Sequence, residues 1–476
     1  MTWQDIIINR LKLNDNSKKV VIDQIGLLHC LEFTNYLDDV AIKYIITESV
    51  EEILSVVKDS DQLIISRSLS LPAYLRTKVN IIEFNQKQLP LDIESQILQQ
   101  ISIPQLIQLI DYQHDKNSLQ LITKHNFRLI LNESEKYGFE KEAEHLYEQI
   151  NIYCQSIKTY NDILMLGDIW GKYIYSNFRS GKEPDNELVK KVDNATGELI
   201  LNGILKDSFY ESTDNFKTVD RIVKYVRNKN NPKIALVCFD GMGVTEWNVL
   251  KEFLTENNFL FEQKYIFALI PTMTKISRSS IFYGNSDKVY EITSPNEDKA
   301  FKELFNERNV RFYREGQLQS NEQLLGIDTV KIIYNVFDDI AHKTILPPTE
   351  NNKGMYFMNV RNYLEKSSIK DELMLLKETG YKIWICSDHG CVVATGNGQV
   401  IDKYLIETSS KRATIIVKSE LSKFYDTNTY EIPFVKDKVV LLAKDRTSFS
   451  HKNKIEITHG GITLDELIVP FVEVVS

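Results

Sequence analysis

The chain has 476 residues, of which 43% are hydrophobic and 26% are charged, and its formal net charge is −9. This length exceeds the roughly 250–300 residues that one hydrophobic core supports, so two or three domains are expected. An acidic chain is a poor general ligand for duplex nucleic acid, because phosphates attract lysine and arginine. The sequence has no apolar run of the ~18 residues that a membrane span needs, and its start is unlike a signal peptide. We therefore expect a cytoplasmic protein.

The first part of the chain alternates between strand-like and helix-like patterns. Short apolar runs typical of strands end at Asp23, Ser66 and Phe84, and a helical pattern lies between the first two. This alternation predicts a small α/β domain over residues 1–91. Asp23 stands at a strand end, where a ligand site can lie. Capping of the following turn is the stronger interpretation for this aspartate.

The middle of the chain changes to helical periodicity. Ile103, Leu106, Ile107 and Ile110 recur at the spacing of one helix face, which predicts a helical region over residues 92–227. A polar cluster that ends in proline follows. Beyond it, strands and helices alternate to the end of the chain, so residues 228–476 are predicted to form a doubly wound, mainly parallel sheet.

Residues of metal-binding type stand where predicted strands end or helices begin in this last domain. Asp338 and His342 are four residues apart, so one helical turn would direct both side chains to one point. Ligand sites in open α/β sheets gather at the carboxyl ends of strands, so we expect the whole set to meet at one rim of a single sheet. The other members are Asp240, Thr274, Asp388, His389 and His459.

These seven residues offer carboxylate and imidazole ligands for two metal ions and one hydroxyl that can act as a nucleophile. Such a set suits in-line displacement at phosphorus. Any one of these residues alone is better interpreted as structural, and Thr274 alone as a helix cap. Their joint occurrence at the predicted element boundaries of one domain favours the catalytic interpretation.

The order of these residues resembles that of the alkaline phosphatase superfamily, notably its phosphodiesterase branch. More narrowly, the second half of the chain is similar to a PglZ domain, which occurs in bacteriophage-exclusion defence systems. The similarity rests on residues 240–242, Thr274 with Ser277 and Arg278, residues 388–390 and, most specifically, residues 459–470.

The resemblance implies a division of the ligands between two metals. Asp338, His342 and His459 would hold one ion; Asp240, Asp388 and His389 would hold the other, with Thr274 touching it. Zinc suits imidazole and carboxylate ligands, and manganese is the alternative. Ser277 stands where the diesterase branch places an asparagine that touches substrate.

The expected function is that of a metal-dependent phosphoesterase, in particular a phosphodiesterase acting on nucleotides or short single-stranded oligonucleotides. Thr274 would be the nucleophile, and Arg278, one helical turn away, would contact phosphate. Lys411 and Arg412 are further candidate cations, although solvated surface charge is the stronger interpretation for them. The resemblance also implies protein partners in an antiphage defence complex. The alternatives are a phosphomonoesterase, a largely non-catalytic scaffold subunit and a phosphomutase. The last would need a larger insert than the chain has between Thr274 and Asp338.

Overall fold

The computed structural model describes residues 2–14, 19–59, 62–67, 73–77, 79–118, 120–203, 215–287, 289–292, 294–346, 353–399, 408–424, 426–432 and 435–475. The chain divides into two compact units, Met1–Lys141 and Glu142–Ser476. The division between them lies inside a long helix within the predicted helical region. The three-part division at residues 91 and 227 therefore stays a prediction.

The first unit contains a parallel sheet with the strand order β2-β3-β1-β4. Asp23, at the end of β1, accepts hydrogen bonds from the backbone N–H groups of Ile25, Gly26 and Leu28, so it caps the following turn. In chain order the elements are α1 (Trp3–Leu11), β1 (Lys19–Asp23), α2 (Leu31–Asp39), β2 (Tyr44–Ile46), α3 (Val50–Asp59), β3 (Leu63–Ser66), α4 (Ala73–Arg76), β4 (Asn80–Phe84), α5 (Ser95–Leu98), α6 (Ile103–Asp115) and α7 (Phe127–Tyr153), whose residues fall in both units.

The second unit begins with helices and continues as an α/β fold. Its elements are α8 (Tyr160–Ser180), α9 (Asn186–Leu201), α10 (Ile222–Asn228), β5 (Ile234–Phe239), α11 (Val244–Glu256), β6 (Leu260–Phe267), α12 (Thr274–Tyr283), α13 (Glu297–Leu304), β7 (Val310–Arg314), β8 (Thr329–Tyr334), α14 (Val336–Lys343), α15 (Gly354–Leu364), α16 (Ile369–Glu378), β9 (Lys382–Ser387), β10 (Val392–Gly396), β11 (Thr408–Ser409), β12 (Ala413–Val417), β13 (Thr427–Glu431), β14 (Lys438–Ala443), β15 (Thr447–Ser448), β16 (Ile455–Thr458), α17 (Leu464–Leu467) and β17 (Ile468–Val475).

The main sheet of this unit has the order β6-β17-β9-β5-β8-β7. Strands β9, β5, β8 and β7 are parallel to one another, and β17 runs antiparallel between β6 and β9. Every residue of β5 and β8 is buried, which explains why β5 is a continuous apolar run in the sequence. The predicted mainly parallel α/β sheet is therefore confirmed.

Two smaller sheets are formed by the chain between β9 and β17, with the orders β15-β10-β16 and β11-β12-β14-β13. Strand β16, which leads into His459, pairs antiparallel with β10 and belongs to the first of these. The candidate residues were expected to meet at one rim of a single sheet, whereas His459 follows a strand of this smaller sheet. An apolar run predicts a strand but does not specify the partner of that strand, because pairing between strands is non-local.

No helix among the described residues is both long enough and apolar enough to cross a membrane.

Helix α8 packs closely against the fold through glycine. A Cβ atom on Gly171 would lie 2.2 Å from Cγ1 of Val244 in α11, and one on Gly167 would lie 2.8 Å from Cγ1 of Ile468 in β17. The absence of a side chain at these two positions is what allows the close approach.

Replacement of Gly171 by alanine should therefore destabilise the second unit. We expect the free energy of unfolding to fall by about 1–3 kcal/mol, because the added methyl group overpacks the helix interface. Gly197→Ala in α9 is the matched control: its nearest neighbour would be 4.0 Å away, so better helix propensity should raise the same quantity by about 0.5–1 kcal/mol. Urea unfolding followed by fluorescence measures both, and equal effects of the two changes would contradict the interpretation.

Candidate metal centre

Two neighbouring strands of the main sheet deliver the first group of candidate ligands. Strands β5 and β9 are paired in register, so Asp240 and Asp388, each the residue after its strand, lie side by side at the carboxyl edge. One ligand atom from each of Asp240, Asp388 and His389 lies within 4.8 Å of the others, and all three residues are buried. We refer to these three residues as the first cluster.

Helix α14 and strand β16 deliver the second cluster, which consists of Asp338, His342 and His459. Their ligand atoms also lie within 4.8 Å of one another. Nε2 of His342 is 3.3 Å from Oδ2 of Asp338, as the four-residue spacing predicts, and Nε2 of His459 is 3.7 Å from Oδ1 of the same carboxylate. Asp339, the competing carboxylate, is exposed and pairs with Lys343.

The two clusters adjoin each other. The imidazole rings of His389 and His459 stack with their centroids 4.1 Å apart. The backbone N–H of Asp338 donates to the carbonyl oxygen of Asp240 over 3.2 Å. Gly241 allows this contact, because its φ is +77° and a Cβ atom there would lie 3.2 Å from the nitrogen of Asp338. All seven candidate residues are thus brought together, although their roles as ligands stay a prediction.

Thr274 is the first residue of α12, and its hydroxyl lies against the first cluster. Its Oγ1 is 3.2 Å from Oδ1 of Asp240 and 2.9 Å from Nε2 of His389. The N-cap of α12 is Met273, so Thr274 does not cap the helix. A group at this position also meets the positive end of the helix dipole, which favours negative charge.

Backbone carbonyls fix the orientation of two histidines. Nδ1 of His389 lies 3.0 Å from the carbonyl oxygen of Gly390, and Nδ1 of His459 lies 3.0 Å from that of Thr272. A carbonyl only accepts, so Nδ1 carries the proton in both rings and Nε2 keeps its lone pair toward the clusters. This is the tautomer that a metal-binding imidazole needs when Nε2 is the ligand.

Thr272 is a site residue that the sequence did not single out. Its hydroxyl donates to the carbonyl oxygen of Gly461 over 2.9 Å and accepts from the N–H of Gly460 over 3.1 Å. It therefore ties the loop before Thr274 to the loop after His459. A threonine two residues before a candidate nucleophile is the only sequence signal for this role, and it is too common to interpret alone.

Arg278 lies next to the first cluster, as its spacing from Thr274 suggested. Its Nη1 donates to Oδ2 of Asp240 over 2.6 Å, and its Nε lies 3.2 Å from both carboxylate oxygens of Glu297. Glu297, at the start of α13, was not predicted. Ser277 faces away from the clusters: its buried hydroxyl accepts from the N–H of Leu269 over 3.0 Å. It therefore does not take the place of the asparagine expected there.

The electrostatics of both clusters fit bound cations. Burial raises the pKa of Asp388 well above its usual range, and the charge of Asp240 adds to this. Its Oδ2 is buried without a hydrogen-bond partner among the residues described. Burial and the neighbouring His389 lower the pKa of His459, so its ring is neutral at pH 7, as metal binding requires. An orphaned carboxylate oxygen in a site that also holds a neutral imidazole is one that a divalent cation would satisfy.

Charged neighbours also set the protonation of the second cluster. Burial alone would raise the pKa of Asp338, but the hydrogen bond with His342 and the charge of His459 hold it at about 2. The same hydrogen bond with Asp338 raises the pKa of His342 above its usual value. In the metal-free protein, protons therefore compete with a cation at His342.

Arg412 is not a surface charge. It is only 1% exposed, and its Nε donates to Oε1 of Glu466 over 2.9 Å. Glu466 also accepts from the N–H of Gly461 over 2.7 Å, so this buried ion pair holds the loop after His459. The interpretation of Arg412 as solvated is therefore wrong, whereas half-exposed Lys411 pairs with Glu456.

A mainly parallel sheet that carries two aspartate–histidine clusters beside a nucleophile-type hydroxyl is the fold and site of an alkaline-phosphatase-like protein. Residues 218–474, more than half of the chain, match the family described as the BREX system PglZ alkaline phosphatase-like domain. The chain belongs to this PglZ family.

Some solved structures are similar to part of the chain at low sequence identity. Murine and human ectonucleotide pyrophosphatase/phosphodiesterase 5 are each similar with 12% identity and a TM-score of 0.34, over 50% of this chain and 87% of theirs. Phosphonoacetate hydrolase from Sinorhizobium meliloti 1021, in complex with phosphonoformate, is similar with 12% identity and a TM-score of 0.32, over 51% of this chain and 89% of its own. Comparison with curated proteins gives no match.

Metal binding should weaken as the pH falls. His342, with its raised pKa, and Asp388, with its strongly raised pKa, must each lose a proton to bind a cation. Equilibrium dialysis against zinc, followed by metal analysis, should give a higher zinc content at about pH 8 than at about pH 6. His342→Gln should bind less zinc at both values and lose part of the pH dependence. An unchanged zinc content across this interval in the unmodified protein would contradict the interpretation.

Removal of one partner of the buried ion pair should be costly. Glu466→Ala leaves Arg412 charged and unpaired in the interior, so we expect the free energy of unfolding to fall by roughly 3–5 kcal/mol. Glu187→Ala, which breaks an exposed pair with Lys190 in the same unit, should change it by less than about 1 kcal/mol. Chemical unfolding compares the two, and similar losses would show that burial of the Arg412 pair is unimportant.

Proposed function

We propose that this chain is a metal-dependent phosphodiesterase that acts on nucleotides or short single-stranded oligonucleotides, with Thr274 as the nucleophile. One observation carries the proposal: the Thr274 hydroxyl lies 2.9 Å from His389 and 3.2 Å from Asp240, inside a ligand set for two cations. A hydroxyl held among ligands at a helix N-terminus is placed to become an alkoxide.

The two clusters would each hold one divalent ion. Asp240, Asp388 and His389 would hold the ion nearer to Thr274, and the second cluster would hold the other. The donor set of imidazole nitrogens and carboxylate oxygens favours zinc, with manganese as the alternative. When bound, such ions supply positive charge that favours the deprotonated hydroxyl and offsets charge on the phosphoryl oxygens.

The proposed reaction proceeds in two steps. Oγ1 of Thr274 forms a bond to phosphorus while the ester oxygen opposite leaves, and water later cleaves the resulting phosphothreonine. Arg278 already uses Nε on Glu297 and Nη1 on Asp240. Its Nη2 has no acceptor in the part of the chain that the structure describes, so it is the donor we assign to a phosphate oxygen.

The charge of the chain supports a small or single-stranded substrate. A net charge of −9 disfavours long duplexes, which are held chiefly through many lysine and arginine contacts to phosphate. The threonine nucleophile supports a diester rather than a monoester. Membership of a family described by its BREX system supports a role in bacterial antiphage defence with protein partners. Phage plating on cells with the intact chain and with a Thr274→Ala chain tests that role.

Thr274→Ala should remove turnover without removing the metals. With metal-loaded protein and bis(p-nitrophenyl) phosphate, we expect a loss of roughly 10³-fold or more in rate, because the hydroxyl that forms the covalent intermediate is gone. Unfolding temperature and metal content should stay close to those of the parent.

Thr274→Ser keeps a hydroxyl and is the matched control, with an activity between the two. A Thr274→Ala protein that retains the parent rate would refute the assignment of the nucleophile. A panel of cyclic, linear and single-stranded diesters, compared with p-nitrophenyl phosphate as monoester, then defines the substrate class.

A further inference from the structure

A second cavity lies in the same unit as the metal centre and is lined by none of the seven candidate ligands among the described residues. It lies between α8, α9, α15 and β10 and has a volume of about 530 Å³. This volume falls within the range of roughly 300–1,000 Å³ that small-molecule sites occupy. We call it the rear cavity.

The walls of the rear cavity are apolar and include two aromatic rings. Phe178 and Phe357 line it with their centroids 5.2 Å apart, and Ile174 and Val189 complete this side. Met358, which is 59% exposed, stands at the mouth. Aromatic and thioether side chains around a concave surface favour a flat, polarisable ligand.

The floor of the cavity is polar and already largely paired. Nε and Nη2 of Arg446 donate to Asp193 over 2.7 and 3.1 Å, and Nη2 also donates to Asp465 over 2.7 Å. Its Nη1 has no acceptor among the residues that the structure describes. Lys353, buried beside it, donates to Glu246 over 2.7 Å. A ligand with an acceptor atom can therefore receive a hydrogen bond from Nη1 of Arg446 at the floor of the cavity.

The charges at the floor limit what the cavity can take. Two cations, Lys353 and Arg446, stand against three carboxylates, Asp193, Glu246 and Asp465. Lys182 and Glu183 add one charge of each sign to the lining, so carboxylates still exceed cations by one. This balance disfavours a polyphosphate, and the apolar walls disfavour a bare sugar. From these features we propose that the rear cavity binds an uncharged, planar heterocycle with an acceptor atom, of the size and chemistry of a purine nucleoside.

The floor of the rear cavity is also the back of the metal centre. The carbonyl oxygen of Asp465 packs so closely on Gly390 that a Cβ atom there would lie 2.0 Å from it, and Gly390 follows His389 directly. Glu246, the partner of Lys353, accepts from the Cys391 thiol over 3.4 Å. A bound ligand would thus contact residues that pack against the segment containing His389. We therefore expect binding at the two sites to be coupled, in which case ligand and metal alter each other's affinity by the same factor.

Isothermal titration of the full-length, metal-loaded protein tests the site, with adenosine as the probe. Adenosine should bind, and ribose should give no binding heat. Val189→Trp, which fills the wall, should weaken adenosine binding at least tenfold. Leu325→Trp places the same indole at a 75% exposed position that does not line the cavity and should leave the affinity unchanged. Thr274→Ala should bind adenosine as the parent does, so a failure of the proposed nucleophile leaves this test intact.

Three results would overturn the proposal. They are the absence of both binding heat and a rise in unfolding temperature with adenosine, equal affinity of a folded Val189→Trp protein, and tighter binding of ribose than of adenosine. Should Val189→Trp not fold, Met358→Trp at the exposed mouth takes its place with the same expectation. Equal zinc affinity with and without saturating adenosine would exclude the coupling.

Discussion

Negative charge buried at the ends of neighbouring strands is the constraint on which the rest of this site depends. Asp240 and Asp388 lie side by side because β5 and β9 are paired in register, and both are buried. Arg278 offsets one oxygen of Asp240, but Oδ2 of Asp388 has no hydrogen-bond partner within the described residues. An unpaired buried carboxylate costs several kcal/mol unless it is protonated or binds a cation. In this fold the ionised form of the Asp388 carboxylate is therefore stable only when a positive ion is bound beside it.

Contacts between loops that are distant in the sequence fix the geometry of the candidate metal centre. Thr272 joins the loop before Thr274 to the loop after His459, and the Arg412–Glu466 pair holds the second of these loops in place. Backbone carbonyls orient the rings of His389 and His459. Such outer contacts set both the tautomer and the position of a ligand, and they are as much a part of a metal site as the ligands themselves.

Local patterns in the sequence were sufficient for the strands that precede the candidate ligands and for the spacing of those residues along the chain. The apolar runs of β5 and β9 each end in an aspartate, and Asp338 with His342 obeys the helical repeat, so these positions followed from periodicity. The predictions that failed concerned residues and strands whose partners lie far away in the sequence. Arg412 looked like surface charge because its partner, Glu466, lies 54 residues later. The sheet that contains β16 could not be known without the pairing of that strand with β10.

The two clusters differ in solvent exposure, and this difference indicates the side on which the site is open. The first cluster is wholly buried, with glycines at 243 and 390 packed against the carbonyl oxygen of Asp465 behind it. In the second cluster the side chain of His342 is 43% exposed. Solvent therefore reaches the centre from the side of α14, whereas half-buried Thr274 lies against the first cluster. If Thr274 is the nucleophile, as proposed above, a phosphoryl group that enters from the side of α14 passes the second cluster before it reaches the hydroxyl, so both clusters would adjoin the phosphoryl oxygens during an in-line displacement.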